Sequence, residues 1–230
     1  MGSSTKIHLK KLLSFLSNPG MDSDALNLLR TRQRIACEKT AAYIEEKLPL
    51  AKPFKNGKDL LEYALSSTLN DGLYCEFGVY KGETINFIAD RINGRTVYGF
   101  DSFEGLPENW KFDMPKGTFK IDGPPRVRNN VKLIIGLYEN TLNDFFSRQN
   151  DDCAFVHIDC DLYSSTRTVF ESLGDKIKNG TIIVFDEYFN YPGWENGEFK
   201  AFREYVKQKN IEYEYLGYCY LWRQAAVIIK

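Results

Sequence analysis

The feature that most constrains this chain is a recurring punctuation: short apolar runs, each stopping at a glycine or an acid, separated by helical stretches. The run at 73–77 meets Gly78, 96–100 ends at Asp101, 153–158 at Asp159 and 181–185 at Asp186, with one more at 131–137. Helical patterning fills 59–69, 83–90 and 198–209. Continuous apolar runs are the mark of strands buried on both faces, and helical connections make such strands parallel. Two last runs, 212–218 and 225–229, have only a tight connection around 220–223 between them, which predicts an antiparallel hairpin at one edge. The expected fold is α/β: a doubly wound, mostly parallel seven-stranded sheet, Rossmann-like, with an antiparallel C-terminal hairpin, over residues 57–230. Residues 1–56 read as an N-terminal helical extension. Leu9, Leu12, Leu13 and Leu16 recur at helical spacing, Pro19 and Gly20 break that segment, and Asp22 or Ser23 is expected to cap a longer helix reaching about Lys47. Helices of this kind pack on their own domain or on a second copy, so a homodimer through them is a natural arrangement.

Bulk properties exclude some classes. Lys and Arg number 30 against 31 Asp and Glu, so the chain lacks the basic excess of a nucleic-acid binder. Five cysteines, with no C-x-x-C pair, read as buried reduced thiols and point to a reducing compartment. With no secretory signal and no run long enough to span a membrane, the expected location is the cytoplasm.

The turn after the first strand of the α/β region, Glu76-Phe77-Gly78-Val79-Tyr80-Lys81-Gly82-Glu83-Thr84, sits where open α/β sheets bind ligands. The dinucleotide fingerprint G-x-G-x-x-G is absent, because Glu76 holds its first glycine position. A carboxylate there repels a pyrophosphate and suits a cationic ligand such as S-adenosylmethionine, which carries an ammonium and a sulfonium. Asp101, 23 residues after Gly78, is placed to accept from ribose hydroxyls. Asp159, Asp161, Asp186 and Glu187 follow two later strands. If those strands are neighbours, their acids converge, and a hard divalent cation such as Mg²⁺ would relieve the repulsion; solvated helix caps are the plainer alternative. His157 reads as a core histidine with a hydrogen-bond partner. Tyr188, Tyr191 and Trp194 read either as an apolar wall for a sugar or as loop packing. Arg126 and Arg128 read as an anion contact or a solvated pair. The irregular stretch 102–130 has the length of a functional loop and is expected to act as a lid.

Together these blocks, with Phe100-Asp101-Ser102-Phe103-Glu104-Gly105-Leu106-Pro107, His157-Ile158-Asp159-Cys160-Asp161-Leu162-Tyr163-Ser164-Ser165-Thr166 and Val184-Phe185-Asp186-Glu187-Tyr188, resemble class I methyltransferases and most of all the macrocin O-methyltransferase family. The resemblance implies an S-adenosylmethionine-dependent O-methyltransferase, with Mg²⁺, acting on a sugar hydroxyl in a glycan, a nucleotide-sugar or a natural product. It implies that Glu76, Gly78, Tyr80, Gly82 and Thr84 surround the methionine part of the cofactor. Asp101 and Ser102 then hold the ribose, Gly136 to Glu139, including Tyr138, line the adenine, and Asp159 touches cofactor and metal. Asp186 and Glu187 complete the metal site, and Asp161 is the general base. Glu187 departs from the family's usual aspartate. The alternatives are a metal-independent methyltransferase, a nicotinamide-dependent oxidoreductase and a non-catalytic scaffold that keeps the fold.

Overall fold

A computed structural model describes residues 27–111 and 113–230. The expected helix around 9–16 and the cap at Asp22 or Ser23 lie outside the described residues. Helix α1 (Leu28–Lys47) has Asn27 as its N-cap, whose side chain accepts from the Arg30 N–H, and only its end at Lys47 agrees with the sequence reading. There follow β1 (Lys52–Phe54), α2 (Gly57–Ser66), β2 (Leu73–Phe77), α3 (Glu83–Ala89), β3 (Val97–Asp101) and β4 (Val131–Ile135). The second half contains α4 (Tyr138–Ser147), β5 (Cys153–Ile158), α5 (Tyr163–Leu173), β6 (Ile177–Phe185), α6 (Glu198–Lys209), β7 (Tyr213–Cys219) and β8 (Ala225–Ile229). Among the described residues, no helix is long and apolar enough to cross a membrane.

The strands form one eight-stranded sheet in the order β1-β7-β8-β6-β5-β2-β3-β4. All neighbours are parallel except those of β8, which lies antiparallel between β6 and β7. The doubly wound sheet matches the sequence reading, with two corrections. There are eight strands, because β1 pairs parallel with β7. The hairpin is therefore not the edge; β1, from residues read as extension, covers it.

Period-two alternation divides the core between two faces. In β6, Ile182 and Val184 face one cluster, with Leu60 and Ala64 of α2 and Ile85 and Ile88 of α3. Ile183 and Phe185 face the other, with Leu142 of α4, Phe170 of α5 and Phe202 of α6. Tyr188, Tyr191 and Trp194 belong to this second core and pack the loop after β6.

Candidate active site

The chain winds outward from β2, with β3 on one side and β5 on the other, and this reversal leaves a crevice at the carboxyl ends of the strands. A cavity of about 800 Å³ opens there, toward the upper end of the size range of small-molecule sites. Gly78, Asp101, Ser102, Asp159, Asp161, Asp186 and Glu187 line it from the ends of β2, β3, β5 and β6. Gly136 to Glu139 line it from the β4–α4 turn, and Leu106, Trp110, Met114 and Phe119 from the irregular segment.

Why these ends come so close is explained at Gly78. Its φ is +93°, and a Cβ there would lie 1.8 Å from the Asp159 carbonyl oxygen. The missing side chain thus serves the approach of the β2 turn to the β5 loop, locked by Asp159 N–H donating to Phe77 O at 2.8 Å. Asp101 knits the next turn: one carboxylate oxygen accepts from the Val79 and Tyr80 N–H groups, the other from Phe103 N–H. Each oxygen has two acceptor sites, so the carboxylate also keeps capacity toward the cavity.

Beneath the cavity Glu76 is fully buried, with Oε2 3.0 Å from His157 Nδ1 and Oε1 without a hydrogen-bond partner. Burial lifts the Glu76 carboxyl; burial depresses His157, but the bond and charge of Glu76 outweigh it and lift the imidazole. Glu76, Gly82 and Thr84, expected around the cofactor, are absent from the lining.

The acids do converge. Burial, then Asp186 and Asp161, push the Asp159 carboxyl well above its usual range. Burial, then Glu187 and Asp186, push Asp161 up to about 7. A residue that carries no sequence motif joins them: Glu198, fully buried at the start of α6, accepts from Asp161 N–H at 3.2 Å and from Glu187 N–H at 3.1 Å. It couples the β5 and β6 loops and holds Asp161 in its left-handed conformation, φ 59°. In sequence it reads as an ordinary acid in a first helical turn, which is why it escapes notice.

Mg²⁺ was expected on Asp159, Asp186 and Glu187, and the oxygen donors suit it chemically. The arrangement does not fit a three-carboxylate site. Both Glu187 oxygens accept from Arg223 Nη1, at 2.5 and 2.8 Å, and Asp186 Oδ1 accepts from Gln224 Nε2 at 2.8 Å. Among the described residues no three His, Cys, Asp or Glu side chains are disposed to hold a metal. Other expectations shift as well. The aromatic wall comes from Trp110, Phe119 and Trp222 instead of Tyr188, Tyr191 and Trp194. Arg128 is absent from the cavity lining and grips Asp90, the C-cap of α3, through two nitrogens, at 2.7 and 2.9 Å.

A parallel sheet reversed at β2, a glycine turn preceded by an acid, and an acid-rimmed cavity at that reversal make a doubly wound α/β domain with a ligand site at its switch point. Residues 75–188 match the family model described as a methyltransferase domain. One curated relative, 8-demethyl-8-(2,3-dimethoxy-alpha-L-rhamnosyl)-tetracenomycin-C 4'-O-methyltransferase of Streptomyces olivaceus, is 27% identical over 157 residues, 56% of this chain and 59% of that protein. The chain thus spans about three fifths of that relative's length. Among solved structures, the calicheamicin methyltransferase CalS11 superposes with a TM-score of 0.60 at 21% identity, covering 99% of this chain and 93% of that one. The O-methyltransferase NovP gives 0.58 at 19% identity, covering 74% and 78%. At these identities the two structures speak for the fold.

Proposed function

We propose that this protein transfers the methyl group of S-adenosylmethionine to a hydroxyl of a sugar, free or within a glycoside. The observation that carries this reading is Asp161: it lines the cavity beside the strand ends that would hold the cofactor, and its carboxyl is pushed up to about 7. A base with that pKa is matched to neutral conditions. In the reaction the acceptor oxygen attacks the methyl carbon, the carbon–sulfur bond breaks, and the sulfonium becomes a thioether. The hydroxyl proton goes to Asp161. The chain's main contribution is alignment of oxygen, carbon and sulfur. Gly78, Tyr80, Asp101, Ser102, Tyr138 and Glu139 supply the cofactor side, with the ribose on Asp101, and Asp159 stands between cofactor and acceptor. The curated relative is named for a rhamnosyl hydroxyl, so rhamnosides are the first acceptors to try.

The test is calorimetric titration with S-adenosylhomocysteine, followed by a scan of rhamnosides for S-adenosylhomocysteine release. Micromolar binding and acceptor-dependent release are expected. Absence of binding by folded protein would overturn the reading.

A further inference from the structure

Glu187 stands where a metal ligand was expected, yet its carboxylate is committed elsewhere. Arg223 Nη1 donates to both of its oxygens, and Lys111 Nζ lies 3.8 Å from Oε2. The two cations come from different parts of the chain. Lys111 belongs to the irregular segment between β3 and β4, and Arg223 to the tip of the β7–β8 hairpin. Both also lie near the ring of Tyr191, Lys111 4.5 Å and Arg223 5.3 Å from its centroid. Each cation also covers a tryptophan, Lys111 over Trp110 at 3.2 Å and Arg223 over Trp222 at 5.2 Å. Both tryptophans line the cavity. The Glu187 side chain is 8% exposed and those of Lys111 and Arg223 26%, so this network is far less screened than surface pairs. A glutamate is one methylene longer than aspartate, which lets the charge leave the strand end and meet both cations.

We propose that Glu187 is a positioning residue that ties segment 107–114 and hairpin tip 220–223 into one wall of the cavity, and that its carboxylate serves these two cations instead of a divalent ion. That this wall faces the acceptor rests on the function proposed above; the tie itself does not. Without the Glu187 charge, Lys111 and Arg223 remain as two like charges near Tyr191 with no carboxylate joining them directly, and the two segments lose their common anchor.

Hydrogen–deuterium exchange on the full chain tests this, comparing wild type with Glu187→Gln and Arg223→Gln, with and without S-adenosylhomocysteine. Peptides over 107–114 and 220–223 are expected to exchange about tenfold faster in Glu187→Gln, as suits the loss of two partly buried ion pairs. Strand β5 should stay unchanged. Lys111→Gln should loosen 107–114 alone, and gives a second route if Glu187→Gln folds poorly. Calorimetric titration with Mg²⁺ should give the same trace for wild type and Glu187→Gln. Unchanged exchange in both segments would overturn the proposal, as would a Mg²⁺ isotherm present in wild type and lost in Glu187→Gln. If wild type fails to bind S-adenosylhomocysteine, the proposed function falls, while exchange of the free protein still decides the role of Glu187.

Discussion

Asp161 combines three costs at one residue: a left-handed backbone at φ 59°, burial, and acidic neighbours. Its carboxyl titrates near about 3.9 in the unfolded chain and about 7 in the fold. Between those values the unfolded state has released its proton and the folded state has not, so stability falls as pH rises through the window and levels off above it. Asparagine has nearly the same shape and does not titrate. Asp161→Asn is therefore expected to gain melting temperature over wild type as pH goes from 5 to 8, while losing turnover and keeping S-adenosylhomocysteine affinity within about twofold. Thermal melts at the two pH values check the first part, and a smaller gain at pH 8 than at pH 5 contradicts it. Gly78→Ala should cost several kcal/mol, since a left-handed φ adds to a Cβ clash with Asp159 O; urea unfolding measures it. Both residues stand in motifs and could be read from the sequence. Glu198, Gln224, Arg223 and Lys111 could not, because each reaches the acids from a distant, unpatterned segment.

At the scale of elements, strands buried on both faces were legible because their apolar runs are unbroken. The three-residue β1 was not: Lys52-Pro53-Phe54 has too little pattern, and it becomes a strand by pairing with β7. Nor could the sequence show how α1 is fastened. Only Ala36 and Thr40 of this helix are buried; Tyr43 and Ile44 pack against the core beside them, and polar ties add to that packing. Tyr43 and Tyr188 each share a hydroxyl hydrogen bond with Tyr215 of β7, at 2.7 and 2.6 Å. Tyr215→Phe breaks both and strands the fully buried Tyr188 hydroxyl, for a loss of about 1–3 kcal/mol. Tyr43→Phe breaks one bond at the helix and should cost about 1 kcal/mol. Equal losses by urea unfolding would show that Tyr215 is not the hub.

For the molecule as a whole, a net charge of −1 conceals a strong local asymmetry. Seven acidic side chains line the cavity against one basic one, Arg223, and that one is bound to Glu187. Composition could exclude a basic groove, but only folding shows that acids from four separate connections, those after β3, β4, β5 and β6, face one space. Burial holds Asp159 and part of Asp161 as neutral carboxyls near pH 7 and Glu187 is paired, yet the remaining acids still select ligands by charge, a selection that weakens as salt screens it. Presented with S-adenosylhomocysteine bound, a neutral rhamnoside should bind about tenfold or more tightly than the same sugar carried on a nucleoside diphosphate at low salt. The gap should narrow by about 0.3 M salt, where the screening length is a few ångströms. Calorimetry at two salt concentrations measures this. The reverse order, with the charged sugar binding better at low salt, would mean that Arg223 leaves Glu187 for a phosphate, and the tie between segment and hairpin would then be an arrangement that the acceptor displaces.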